Sequence, residues 1–305
     1  MTRLHADELA IDAALVRRLL ARSLPTYADL PVRPLLASGS TNALFRLGDE
    51  LLVRLPRQPG GTAAIEAEAR WLPVVAPALS VATPEVVAVG EPAYGYREKW
   101  SVTTWLDGTT PPASPVTDTD SLADDLARFV AQLRDAAVPD AAREDPAVSS
   151  YRAGPLQAVD VDLREAAELC RAIPDLDLDL DRVLVVWESA LAAAPPAHSA
   201  VRWLHGDLFT ENLLVHNGRL AGVLDFGGLA VGDPTVDLVV GWEALDPQGR
   251  AAFRRHLRVD DATWLRGMAW ALLVAVLTFP YYWQSMPMRC AARASMARSV
   301  LREAS

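Results

Sequence analysis

Three oxygen-bearing side chains stand at spacings that suit one reaction. In Leu204-His205-Gly206-Asp207-Leu208-Phe209-Thr210-Glu211-Asn212 an Asp is followed five positions later by an Asn, and a second Asp comes in Leu224-Asp225-Phe226-Gly227. A carboxylate beside a hydroxyl can orient it and take its proton late in a displacement. An amide oxygen and a further carboxylate are hard donors of the kind Mg²⁺ prefers. Phosphoryl transfer asks little covalent chemistry of a protein; it asks for a positioned hydroxyl and for positive charge on the phosphate oxygens. Asp207 and Asn212 on one loop, then a tight hairpin, then Asp225, would let all three converge. Single aspartates also have plainer uses: Asp233 ahead of Pro234 is a good helix N-cap with Pro at the first helical position. The ordered set carries the argument, not any one member.

The elements that must position these residues follow from the apolar pattern. Ile11, Leu15, Leu19 and Leu20 recur at helical spacing over residues 11–24, which Pro25 closes. Residues 32–37, 43–47 and 51–55 are short apolar runs separated by Ser38-Gly39-Ser40-Thr41-Asn42 and Gly48-Asp49-Glu50, which predicts an antiparallel meander. A helix over 62–75 and strands over 85–89 and 99–105 complete an α+β unit with an antiparallel sheet. Gly and Pro punctuate residues 107–115 and the pattern then changes, so the chain divides into an N-terminal unit, 1–108, and a mainly helical one, 109–305. Helices are predicted over 122–133, 163–170 and 183–193 and from 234 onward, with strand-like pieces at 201–204, 212–215 and 219–224. The Asp-Leu steps of 175–181 read as a solvated loop or helix start.

At 305 residues with 51% hydrophobic and 22% charged positions, the chain exceeds one ordinary core, and two units are the natural outcome. A formal charge of −10 excludes a broad nucleic-acid footprint and favours cationic ligands. Cys170 and Cys290 lack metal-ligand spacing and read as buried, inert thiols. The polar start, Met1-Thr2-Arg3-Leu4-His5, lacks the apolar core of a signal peptide, and a cytoplasmic location is expected. No full charge lies between Arg266 and Arg289, but Pro280, Gln284, Ser285 and Pro287 crowd the end of that stretch, which reads as a buried helix rather than a membrane span.

His205-x-Asp207 with Asn212 and then Asp225-Phe226-Gly227 follows the layout of protein kinases. His-Gly-Asp, four residues and Asn resembles more specifically the catalytic loop of aminoglycoside phosphotransferases and their choline-kinase-like and macrolide-kinase relatives. Gly206 stands where protein kinases commonly have Arg, and residues 232–238 resemble the family's G-D-P-x-x-D-L segment. The resemblance implies a bilobal, protein-kinase-like α+β fold. Its small antiparallel-sheet lobe would bind nucleotide and end in the hinge, and its larger helical lobe would carry the catalytic loop and acceptor site. It implies Asp207 as the catalytic Asp, Asn212 and Asp225 as holders of Mg²⁺, Asp237 as a brace for the loop and His205 as its structural ring. ATP or GTP would be the donor and a small hydroxylated compound, aminoglycoside-like or related, the acceptor.

Upstream, residues 38–42 stand where a phosphate-covering loop belongs, with Ser40 and Thr41 as its contacts, although the same residues make a common hairpin turn. Arg54 occupies the strand position at which relatives usually carry lysine; it keeps the charge with a different reach and geometry. Glu68 fits the ion-pair partner better than Glu66. Thr104 and Leu106 would offer backbone groups to the purine, with Trp105 as hinge packing.

A polyamine acceptor would need carboxylates, with Glu211, Glu243, Asp246 and the 175–181 strip as candidates. Trp242, Trp264, Trp270, Tyr281, Tyr282 and Trp283 form either an apolar wall or core. Two other classes stay open. A kinase-like nucleotide-binding protein without turnover would fit Arg54 but has no need of all three oxygen donors. A kinase of proteins would fit the motif order but lacks the A-P-E segment. A kinase of a non-antibiotic metabolite is a further alternative, and oligomeric state is not legible.

Overall fold

Helix α1 (Ala13–Ser23) opens on Asp12, whose carboxylate accepts the Leu15 N–H at 2.7 Å, and it buries Val16, Leu19 and Leu20. The computed structural model that places it describes residues 7–35, 41–113, 119–193 and 201–304. The chain falls into two compact units, Met1–Pro77 with Ala82–Asp107 and Ala78–Val81 with Gly108–Ser305.

The first unit is built on five strands, β1 (Val32–Pro34), β2 (Asn42–Leu47), β3 (Leu51–Pro56), β4 (Val86–Gly90) and β5 (Trp100–Thr104), with helix α2 (Thr62–Val75) between β3 and β4. Their order is β1-β2-β3-β5-β4 and every pairing is antiparallel. The side chains of Phe45, Leu47, Val53, Leu55, Trp100 and Val102 meet those of α1 in one core. Burial of each such side chain contributes about 1.5–3 kcal/mol before the entropy of ordering it.

The second unit holds α3 (Asp120–Asp135), α4 (Asp140–Arg143), α5 (Asp160–Arg171) and α6 (Leu180–Ala192), then β6 (Arg202–Leu204), β7 (Leu213–His216), β8 (Arg219–Val223) and β9 (Ala230–Gly232). It ends in α7 (Val240–Ala244), α8 (Pro247–Leu257), α9 (Asp261–Tyr282) and α10 (Pro287–Glu303). β7 and β8 form a hairpin, while β6 pairs with β9 across 25 residues of intervening chain. Among the described residues α9 is the one helix long and apolar enough to cross a membrane, yet 72% of its most apolar window is buried, against α5, α6 and α10. Glu303 closes the helical end by accepting from Trp242 Nε1, Trp264 Nε1 and Arg250 Nε at 3.0, 2.7 and 2.6 Å.

Two elements depart from the sequence reading. β9 is only three residues between turns, too short to display a strand's alternation, and β6 alone defines it. The segment after Asp233 begins as a 3₁₀ turn, Pro234–Val239, before α7; Asp233 caps that turn by accepting the Thr235 N–H at 3.0 Å. Trp242, Trp264 and Trp270 are core residues, 1–2% exposed, whereas Tyr281 is exposed. Cys170 and Cys290 are free, buried thiols, and burial pushes the Cys170 thiol up to about 12.

Candidate active site

In the second unit β6 delivers the chain into the loop 205–209, which passes through a 3₁₀ turn, Thr210–Asn212, into the β7–β8 hairpin. Asp237, 1% exposed, anchors the start of that loop. Its two carboxylate oxygens accept the N–H groups of His205 at 2.8 Å and Gly206 at 2.9 Å. Burial pushes the Asp237 carboxyl up, against the pull of His205, of those two N–H groups and of Arg134.

His205 is fully buried and its ring serves as a bridge. Nδ1 accepts the Asp207 N–H at 3.2 Å, which leaves Nε2 as the donor to the Leu224 carbonyl at 3.0 Å. Its ring also meets the edge of Phe226, with centroids 4.8 Å apart. The Leu224 N–H in turn donates to the Asn212 carbonyl at 2.8 Å. Asp207, Asn212 and the segment entering Asp225 are therefore stitched together by four hydrogen bonds that do not depend on any ligand.

Gly206 is required where it stands. Its φ is +77°, and a Cβ there would lie 2.4 Å from the Gly228 carbonyl oxygen. An arginine of the protein-kinase kind cannot occupy this position without moving the segment after Asp225.

Asp207 is half-buried and both of its oxygens are engaged. Asn212 Nδ2 donates to Oδ2 at 3.0 Å and to the Asp207 carbonyl at 2.8 Å, while Arg152 Nη1 donates to Oδ1 at 2.5 Å and to the Gly206 carbonyl at 2.6 Å. Burial alone would raise the Asp207 carboxyl, but the Arg152 guanidinium outweighs it and holds the group below the usual carboxylate range. Sequence reasoning missed Arg152. It sits in a short turn, Tyr151–Ala153, with no motif around it, and it is placed by the Asp233 N–H donating to the Ala153 carbonyl at 2.9 Å.

Asn212 spends its amide nitrogen on Asp207, so its remaining acceptor is the oxygen. Asp225 sits in the left-handed region at φ +57°, with its carboxylate accepting the Gly227 N–H at 3.4 Å. Among the described residues no set of three or more His, Cys, Asp or Glu is placed to hold a metal. One carboxylate and one amide oxygen fit Mg²⁺, which usually takes few protein ligands and fills its octahedron with water and substrate phosphates.

Within the first unit Arg54 Nη1 donates to Glu68 Oε1 and Oε2 at 2.6 and 2.5 Å, with both residues buried. Glu66, one face round α2, pairs instead with Lys99 Nζ at 2.7 Å. Thr41 is exposed and its carbonyl accepts the Arg57 N–H at 2.9 Å; Ser40 lies outside the described residues. Thr104 ends β5 with its N–H given to the Glu85 carbonyl at 2.9 Å, and the Leu106 N–H makes no hydrogen bond among the described residues. Trp105 is packed, with Arg46 3.7 Å above its ring and Nε1 donating to Asp107 at 2.7 Å.

Of the carboxylates considered for a polyamine, Glu211, Glu243 and Asp246 are already engaged, while Asp175, Asp177, Asp179 and Asp181 of the 175–181 strip are exposed. Glu243 is fully buried and bound to Arg293 and to the Thr210 N–H, the latter at 2.8 Å. Glu211 is matched by Arg289 at 2.9 Å and Arg293 at 3.1 Å. Asp246 caps α8 and accepts the Thr119 hydroxyl at 2.7 Å.

An antiparallel sheet unit followed by a helical unit with this loop is a kinase-like fold. The sequence matches the phosphotransferase enzyme family over residues 33–270, and the chain belongs to that family. A search of curated proteins gives no match. Among solved structures it is similar to the GDP and kanamycin complex of APH(2")-IIia, at 19% identity over 95% of this chain and 97% of that one, with a TM-score of 0.68. ADP-bound aminoglycoside phosphotransferase APH(2'')-Ib is similar at 17% identity over 96% and 99%, with a TM-score of 0.62. Macrolide 2'-phosphotransferase MphH from Brachybacterium faecium, as apoenzyme, is similar at 22% identity over 95% and 97%, with a TM-score of 0.62. At these identities the likeness establishes the fold.

Proposed function

We propose that this phosphotransferase moves the γ-phosphoryl of ATP or GTP onto a hydroxyl of a small molecule, with Mg²⁺. The observation that supports the reading is the loop in which Asp207, Asn212 and the strand end leading into Asp225 are tied together through His205, with Asp237 anchoring the start of the loop. Such preorganisation suits a reaction in which positioning and electrostatics supply most of the rate. Asp207 orients the acceptor hydroxyl and takes its proton as the new P–O bond forms. Fixed by Asn212 and Arg152, its carboxylate still has lone pairs free, since each oxygen offers two acceptor sites.

Asn212 and Asp225 would hold Mg²⁺, which would supply positive charge to neutralise the phosphate oxygens. In residues 1–108, the nucleotide-binding part, Arg54 is aimed by Glu68 toward the α- and β-phosphates, and Ser40 and Thr41 cover them. The Thr104 carbonyl and the Leu106 N–H receive the purine. GDP in one similar structure and ADP in another support a nucleotide site while leaving both purines as donors. Dependence on a nucleotide triphosphate fits a cytoplasmic setting.

The test is a coupled nucleotide-consumption assay with Mg²⁺, with ATP and GTP in parallel and a panel of hydroxylated acceptors. Acceptor-dependent turnover should fall by at least about 10²–10⁴-fold in Asp207→Ala, with the fold and nucleotide affinity kept. Undiminished turnover in that variant would remove Asp207 from the role of base.

A further inference from the structure

The charges around Asp207 narrow the acceptor, given the kinase reading above. Three carboxylates lie there, Asp207, Glu211 and Glu243, and three guanidiniums answer them, Arg152, Arg289 and Arg293. These six groups sum to zero, and the further carboxylate, Asp225, is committed to Mg²⁺ in the reading above, so no surplus of negative charge awaits a polyamine. Desolvating a polycation against paired carboxylates would cost without return, because each one already has its counter-ion.

Arg152 has donors to spare. Of its five N–H groups, Nε–H goes to the Tyr151 hydroxyl at 3.0 Å and the two on Nη1 go to Gly206 and Asp207. The two on Nη2 make no hydrogen bond among the described residues. The side chain is 23% exposed, beside Tyr151, itself 51% exposed. Arg289, 18% exposed, stands over the Tyr282 ring at 5.7 Å. A guanidinium edge with unspent donors next to an aromatic ring and a catalytic carboxylate is a place for an oxyanion.

We propose that the acceptor is a hydroxy compound bearing an oxyanion, a carboxylate or phosphate, which Arg152 grips while Asp207 orients the nearby hydroxyl. Arg152 is thereby a specificity-determining residue: its Nη2 holds the acceptor and its Nη1 keeps Asp207 in place.

The test is calorimetric titration of the nucleotide-free full-length chain with D-glucuronate, D-glucose 6-phosphate and malonate, against D-glucose and kanamycin. Arg152→Gln and Arg152→Lys are run alongside, with retained nucleotide binding as the check on folding. Saturable binding of at least one acidic probe, weakened tenfold or more in Arg152→Gln and less in Arg152→Lys, with kanamycin no tighter than glucose, upholds the proposal. A response to carboxylate probes alone or to the phosphate alone identifies the oxyanion. Kanamycin binding tighter than every acidic probe overturns it, as do acidic probes that fail to bind or that bind the glutamine variant equally well. Turnover of the same compounds with Mg²⁺ and ATP or GTP is scored separately. Acidic probes bound through Arg152, with no turnover of any acceptor in the wider panel, would sink the kinase reading and leave the oxyanion site standing.

Discussion

Glu68 brings a carboxylate to the inner face of α2, where it is 1% exposed, and Arg54 within 2.6 Å answers its charge. Removing one member of a buried pair strands the other and typically costs about 3–5 kcal/mol. Glu68→Ala should therefore lower the unfolding free energy of the first unit by that order, while Glu66→Ala, which loses a part-exposed contact with Lys99, should change it by less than about 1 kcal/mol. Equal effects in chemical denaturation would contradict the pairing. Gly206 makes a second residue-level case. An alanine there must adopt φ near +77° at a cost of about 1–2 kcal/mol and also push back the Gly228 carbonyl. Gly206→Ala should lose most turnover through displacement of Asp207, and a variant with wild-type kcat would show that the loop has more room than its geometry indicates.

Elements in the second unit are tied by side chains as much as by packing. Asp125 on α3 accepts from Arg219 Nε and Nη2 at 2.6 and 2.7 Å and from the Leu220 N–H at 3.1 Å, which pins the β7–β8 hairpin and with it the approach to Asp225. The Arg219 hydrogen bonds, against burial, hold the Asp125 carboxyl below its ordinary range. A depressed carboxyl stabilises the fold above its unfolded pKa and loses that contribution as pH falls through the lower folded value. Asp125→Asn should thus destabilise by about 1–2 kcal/mol between pH 5 and 8, a modest figure because Arg219 is largely exposed, and the gap from wild type should close below about pH 4. A gap that persisted at acid pH would assign the effect to shape rather than charge. At this scale the sequence was informative wherever an element was long enough to show its period: α1, α2, α3 and the meander lie close to where spacing puts them. β9 and the turn carrying Arg152 were not legible, because three residues show no period and their positions are set by partners 28 and 55 residues away.

For the whole molecule, ligand linkage gives the sharpest expectation. Saturating Mg²⁺ and nucleotide at about 100 times Kd should stabilise by about 2.7 kcal/mol, or about 4 °C in a chain of this size. Chelation of the metal, or Asp225→Ala, should remove most of that shift, and a shift indifferent to both would exclude the proposed Mg²⁺ ligands. Motif order made the family legible from 35 residues, because His205, Asp207, Asn212, Asp225 and Asp237 are constrained by chemistry and by backbone hydrogen bonding at fixed distances along the chain. The acceptor was not legible. Glu211, Glu243 and Asp246 look alike in sequence, and only folding reveals that arginines on α10 and a cap on α8 have already claimed them.

The two cysteines hold a last consequence. Both lie in the second unit and the first has none, so the chain carries a natural clock for opening of one half alone. With the Cys170 thiol pushed up to about 12, the folded unit offers a coloured disulfide reagent almost no thiolate at pH 8. Colour then develops only through openings that part the helices around α9, and where reclosing outpaces the reagent its rate reports the opening free energy of that half separately from the sheet.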